Sequence, residues 1–216
     1  MSSRTLVMQN LGLYVVTDPD LSSGRSHEEV ASQALAGGAD VIQLRDKRAP
    51  ARDLYDMAHR IKKICDEAGA LFIVNDRVDV ALAVGAGVHL GQDDLPARVA
   101  RVVLGPKAIM GVSVENVEQA VKATEDGADY VAVGPIYEAR GSKSDAGDPV
   151  GPAAVTLLRR HTPLPIVAIG GINHDHIGEV IGSGAHGVAV MSAIVGAEDI
   201  VGAALDMKRL LEQARS

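Results

Sequence analysis

The chain has 216 residues, 47% of them hydrophobic and 23% charged, an ordinary globular composition that excludes a disordered or collagen-like chain. Its length suits one domain over 1–216, because single cores stop growing near ~250–300 residues. Its 28 acidic against 21 basic side chains leave a net charge of −7, and four Tyr, one Phe and no Trp leave neither a basic footprint for nucleic acid nor an aromatic platform for stacked bases.

Short Val- and Ile-rich segments alternate with helical patterns along the chain. A strand over 13–17 runs into Thr17-Asp18-Pro19-Asp20, and Ser26-x-x-Glu29 is a capping box that opens the first helix. After a strand over 41–45 comes the clearest helix, 53–68. Its Leu54, Met57, Ile61, Ile64 and Ala68 share one face, and Arg60, Lys62, Lys63 and Glu67 fall away from it. Strands over 72–75, 87–90 and 109–113 follow. A helix over 116–126 has Val117, Ala120 and Val121 as its apolar stripe. Strands over 130–134, 166–170 and 187–191 lead to a last helix over 198–213, with Ile200, Ala204, Met207 and Leu211 at helical spacing.

These strands are near-continuously apolar, as parallel strands buried on both faces are. Gly38-Ala39-Asp40, Gly69-Ala70, Gly85-Ala86, Gly127-Ala128-Asp129 and Gly184-Ala185-His186 each precede a strand, where glycine ends a helix in the left-handed conformation. Eight βα units in this length predict an α/β fold, a compact (β/α)₈ TIM barrel. The alternative is an open doubly wound sheet, but Thr17-Asp18-Pro19-Asp20 stands where a dinucleotide fold carries Gly-x-Gly-x-x-Gly. The single cysteine, Cys65, precludes an intrachain disulfide and fits a reducing compartment. No apolar run reaches the ~18 residues of a membrane span, and Met1-Ser2-Ser3-Arg4 lacks the apolar core of a secretory signal. The expectation is a soluble cytoplasmic protein with no membrane or nucleic-acid partner. A homo-oligomer stays open.

Barrel active sites lie at the C-terminal strand ends, and polar residues collect there. Asp76, Asp93 and Asp94 lie on adjacent ends. Converging carboxylates suit Mg²⁺, a hard cation held by one or two of them plus substrate phosphate. Alternatively they cap the helices that follow. Arg45 and Lys47, with Arg140 or Lys143 on the long 138–149 loop, suit an anion such as phosphate. Arg45 could instead pair with Asp76 or Asp94. Gly170-Gly171 after the seventh strand and Met191-Ser192 after the eighth occupy the usual phosphate cradle of such barrels.

Other residues read as structural. Cys65 lies on the apolar side of a helix, and His89 within a strand reads as a satisfied barrel histidine. His174-Asp175-His176 looks like a metal tract, yet residues two apart on a helix do not face one another, so surface or capping roles are expected. No Gly-x-Ser-x-Gly nucleophile elbow exists.

Six ordered blocks carry a resemblance across nearly the whole chain. Gln43-Leu44-Arg45-Asp46-Lys47, Val74-Asn75-Asp76, Val88-His89-Leu90-Gly91-Gln92-Asp93-Asp94, Gly111-Val112-Ser113, Val133-Gly134-Pro135-Ile136-Tyr137 and Ala168-Ile169-Gly170-Gly171-Ile172 resemble the thiamine phosphate synthase family. The resemblance implies a Mg²⁺-dependent transferase. It would join 4-amino-2-methyl-5-hydroxymethylpyrimidine diphosphate to a thiazole phosphate carboxylate, releasing pyrophosphate and CO₂. Gln43 would contact the pyrimidine. Arg45, Lys47, Asn75 and Lys143 would hold the diphosphate, and Asp76 and Asp94 the Mg²⁺. Ser113 would lie beside the reacting groups, and Gly171, Met191 and Ser192 would cradle the thiazole phosphate.

Two departures stand out. The loop Tyr137-Glu138-Ala139-Arg140-Gly141-Ser142-Lys143 is one residue longer than the family's pattern and lacks its first threonine. Ser142 and Lys143 match, Ala139 has no hydroxyl, and Arg140 is a substitute for holding the thiazole carboxylate. Gly85-Ala86-Gly87-Val88 is one residue short and leaves Asp94 in place. Three rival readings remain: a thiazole tautomerase-like paralogue, a non-catalytic phosphate-ligand-binding barrel, and an unrelated barrel isomerase with His89 as its base.

Overall fold

A computed structural model describes residues 11–138 and 148–216. Eight strands close into one barrel among these residues: β1 (Leu13–Val16), β2 (Val41–Leu44), β3 (Leu71–Asn75), β4 (Gly87–Leu90), β5 (Met110–Val114), β6 (Tyr130–Val133), β7 (Ile166–Ile169) and β8 (Gly187–Val190). All pairings are parallel and follow chain order. Tyr14 lies opposite Val41 on one side and Ala189 on the other, so β1 joins β8 and the open doubly wound alternative is excluded.

The connecting helices are α1 (His27–Ala36), α2 (Ala51–Ala68), α3 (Val78–Val84), α4 (Ala97–Leu104), α5 (Val117–Glu125), α6 (Ala153–Leu158), α7 (Ile177–Gly182), α8 (Ser192–Val195) and α9 (Ile200–Arg215). Ser26 and Glu29 make the predicted capping box of α1. The five helix-ending glycines, 38, 69, 85, 127 and 184, all take positive φ, as the repeat predicts. No helix among the described residues is long and apolar enough to cross a membrane.

Alternation along each strand divides the apolar side chains into two cores. One lies between strands and helices and holds residues such as Val15, Leu44, Val74, Val88 and Val131. The α9 stripe packs there as predicted, with Ile200, Ala204, Met207 and Leu211 buried, and Cys65 is a core residue. Two stripes shift. The buried face of α2 is Leu54, Ala58, Ile61 and Cys65, leaving Met57 and Ile64 half-buried and Ala68 exposed. The buried face of α5 is Ala120 and Ala123, while Val121 is exposed. Small alanines let each helix approach the strands, Ala58 between Leu54 and Ile61 in α2 and Ala120 with Ala123 in α5; in α5 the largest apolar side chains therefore do not mark the contact line.

The second core fills the barrel itself with Tyr14, Val16, Val41, Ile73, Tyr130, Ala132, Val167, Ala189 and Met191. Gly111 makes room in it: a Cβ there would lie 2.0 Å from Tyr130 Cζ. A glycine on β5 is therefore what lets a tyrosine from β6 lie across the interior.

Candidate active site at the C-terminal rim of the barrel

The strand ends surround a cavity of about 300 Å³ lined by Gln43, Arg45, Lys47, Asn75, Asp76, Asp93, Asp94, Ser113 and Met191. The predicted carboxylates and cations thus meet at one rim. Gly170 also lines the cavity, but Gly171 and Ser192 do not. Ser192 is exposed at the start of α8, and Gly171 instead packs under the next loop, where a Cβ would lie 2.7 Å from the Tyr137 carbonyl carbon. Arg140, Ser142 and Lys143 lie outside the described residues.

Arg45 is held from β1. Its Nη1 donates to Asp18 Oδ2 at 2.6 Å, and its backbone N–H donates to Thr17 Oγ1 at 3.3 Å. Thr17 in turn bonds His27 Nδ1 at 2.7 Å. Asp18 Oδ1 accepts from the amides of Asp20 and Leu21, so one carboxylate both folds the β1 loop and aims the guanidinium. The alternative pairing of Arg45 with Asp76 or Asp94 is corrected: its ion-pair partner is Asp18. The signal was present: Asp18 follows the first strand, where the strand-end rule applies as it does elsewhere.

Asp76 stands just past β3 with a left-handed φ of 62°, a conformation uncommon for a side chain larger than glycine. Its amide donates to the His89 carbonyl at 2.9 Å. It caps no helix, since α3 begins after Arg77 without a side-chain cap. Neither Asp93 nor Asp94 caps α4, which begins after Pro96. Asp94 Oδ2 accepts from Gly91 N–H at 2.6 Å. The capping alternative is thereby removed.

Burial raises the Asp76 carboxyl well above the ordinary carboxylate range, and the adjoining Asp94 carboxylate adds to the rise, while Lys47 and Arg45 oppose it. Two carboxylates crowded against one another at a rim are what a divalent cation relieves. Among the described residues no group of three or more His, Cys, Asp and Glu gathers. A two-carboxylate donor set suits Mg²⁺, which keeps waters and shares substrate phosphate.

His174, Asp175 and His176 form a single 3₁₀ turn capped by Asn173. His176 stacks on Tyr137 with ring centroids 3.7 Å apart, and Tyr137 Oη donates to Glu179 at 2.6 Å. His174 and Asp175 are exposed, the surface role expected of them, while the cap is Asn173 and His176 makes no side-chain cap. With Tyr137 N–H donating to the Gly170 carbonyl at 3.0 Å, these contacts tie the stem after β6 to the loop after β7.

A family model described as thiamine monophosphate synthase matches residues 13–194. The chain belongs to the thiamine monophosphate synthase family. It is similar to the thiamine-phosphate synthase of Methanoculleus marisnigri, 52% identical over 205 residues that cover 94% of this chain and 97% of that one. The thiamine-phosphate synthase of Moorella thermoacetica is 49% identical over 209 residues, covering 96% and 99%. Among solved structures, a thiamine phosphate pyrophosphorylase from Pyrococcus furiosus superposes with a TM-score of 0.89 at 39% identity, covering 97% of this chain and all of that one.

The sequence reading missed the polar groups inside the barrel. Tyr14 and Tyr130 are fully buried and both line the cavity floor. Each stands in a short apolar strand, Leu13-Tyr14-Val15-Val16 and Tyr130-Val131-Ala132-Val133, so each reads as one more apolar strand residue. Inward parity with Gln43 and Ser113 is the signal that could have found them.

Proposed function

We propose that the chain joins an aminopyrimidine-methyl diphosphate to a thiazole phosphate carboxylate, giving thiamine phosphate, pyrophosphate and CO₂. The observation that carries this reading is the meeting of two carboxylates and two cations, Asp76, Asp94, Arg45 and Lys47, around one cavity. The chemistry needs no protein nucleophile, so Ser113, whose Oγ lies 2.9 Å from His89 Nε2, is not required to attack. The carbon–oxygen bond to the diphosphate breaks first, its electron pair leaving with the diphosphate. The cation left on the methylene carbon is stabilised by the amino-bearing ring.

Arg45 and Lys47 neutralise the departing charge, and Asp18 keeps Arg45 aimed without moving during the reaction, which is electrostatic preorganisation. Asp76 and Asp94 would hold Mg²⁺, whose chemistry when bound is to draw charge from the diphosphate oxygens. The thiazole nitrogen then forms the new carbon–nitrogen bond with a cation held within reach, an orientation effect. Loss of CO₂ from the thiazole carboxylate follows. Its substrates are therefore small phosphorylated molecules.

The test is an assay of the purified chain with both substrates, with and without Mg²⁺, reading thiamine phosphate and pyrophosphate. Both products in the presence of Mg²⁺ support the reading. A thiazole compound altered without pyrophosphate release indicates a tautomerase, and binding without turnover indicates a non-catalytic barrel.

A further inference from the structure

Beneath the rim, five polar side chains from five strands form a single file across the barrel. Gln43 Nε2 lies 2.6 Å from Tyr14 Oη, Tyr14 Oη 2.9 Å from Tyr130 Oη, Tyr130 Oη 3.0 Å from His89 Nδ1, and His89 Nε2 2.9 Å from Ser113 Oγ. The Tyr130 ring packs on both neighbours, with centroids 6.2 Å from Tyr14 and 5.6 Å from His89. Gln43, Tyr14, Tyr130 and His89 are all buried. Both ends of the file, Gln43 and Ser113, line the cavity.

Hydrogen bonds in file have one direction. An amide nitrogen only donates, so Tyr14 Oη accepts from Gln43. Tyr14 then gives its one hydrogen to Tyr130, and Tyr130 gives its own to His89 Nδ1. Burial holds both phenols protonated by raising them above their ordinary range, so neither hydrogen is lost. An accepting Nδ1 puts the imidazole proton on Nε2, which donates to Ser113 Oγ. The Ser113 hydrogen is left to point elsewhere, and Oε1 is the acceptor that remains on the Gln43 amide. Turning the Gln43 amide over would reverse every bond in the file. In a dry interior a mismatch anywhere costs an unpaired polar group, so the file changes as a unit.

We propose that Tyr14, Tyr130 and His89 are positioning residues that lock Gln43 and Ser113 to one joint polarity, an acceptor at Gln43 and a donor at Ser113. That pair recognises a heteroaromatic ring presenting an exocyclic N–H on one side and a lone pair or departing oxygen on the other. The identity of this ring rests on the function proposed above; the polarity of the file does not.

The test has two arms on the full chain. The first is nitrogen-15 NMR of the histidine rings at neutral pH, with His89→Gln to assign the His89 signals. The expected state is a proton on Nε2 alone; a proton on Nδ1 overturns the proposal whether or not the chain turns over substrate. The second is steady-state kinetics of Tyr130→Phe and Tyr14→Phe. Each should raise KM for the pyrimidine diphosphate about three- to tenfold, the effect of one hydrogen bond, and leave KM for the thiazole phosphate unmoved. Equal effects on both KM values, or on neither, overturn it. If the wild type makes no thiamine phosphate, the proposed function fails while the tautomer still decides the polarity.

Discussion

The Arg45 guanidinium and the Asp18 carboxylate meet at 2.6 Å, with side chains only 13% and 7% exposed, at the ends of the first two strands. An ion pair that dry is costly to break by removing one partner. Asp18→Asn should keep the two loop bonds to Asp20 and Leu21 while losing the charge that aims Arg45. The expected result is a fall in kcat of on the order of 10²-fold, as for other preorganised groups. Stability should fall by about 1–3 kcal/mol. Kinetics and urea denaturation measure the two separately, and an unchanged kcat would remove Asp18 from the site.

The Asp76 and Asp94 pair makes the metal requirement testable. A chelator should abolish thiamine phosphate formation and added Mg²⁺ restore it. Asp76→Asn should raise the Mg²⁺ concentration giving half-maximal rate by at least about tenfold, since a neutral amide is a poor ligand for a hard cation. An unmoved Mg²⁺ titration would take Asp76 off the ligand set.

At the opposite end of the barrel, Arg101 donates to the carbonyls of Gly105, Ala108 and Gly127 and to Asp129 Oδ2 at 2.6 Å. Asp129 also accepts from Met110 N–H at 2.9 Å. Contacts at this face of a barrel serve stability rather than chemistry. Arg101→Leu should cost about 3–5 kcal/mol by leaving a buried carboxylate with less partnering. It should leave both KM values unchanged, and chemical denaturation beside a kinetic assay decides it.

His186 supplies a pH dependence. Burial, then the Arg159 and Arg215 guanidiniums, lower its pKa below the ordinary histidine value, while Nδ1 accepts from Ile166 N–H at 3.1 Å. The native state therefore binds a proton less readily than the unfolded chain. Its contribution is full above the unfolded pKa near ~6.5 and is lost as pH falls from there through the lower native pKa. Between pH 7 and 5 the thermal midpoint of His186→Gln should fall less than that of the wild type. Parallel midpoint curves would rule His186 out as a source of acid sensitivity.

Most of the architecture could be read from residue order. Each strand boundary lies within a residue of its expected place, and the helix-ending glycines and the Ser26–Glu29 box are where the pattern puts them. The reason is local: periodicity, capping and left-handed φ depend on neighbours a few positions away. The strand-end rule likewise brought Gln43, Arg45, Lys47, Asn75, Asp76, Asp94, Ser113 and Met191 to one cavity. Gly170 and Met191, one step past their strands, line that cavity, while Gly171 and Ser192, two steps past, lie outside its lining, because by then the chain turns with the loop rather than with the pleat.

Residue order alone settles that eight parallel strands alternate with helices and that acids and bases gather at one end of them. Closure of the barrel settles the partners: Asp18 for Arg45 rather than Asp76 or Asp94, and the file from Gln43 to Ser113. Those pairs are separated by 24 to 116 positions along the chain. They come together only because strand order and register place side chains of equal parity at equal height in one interior.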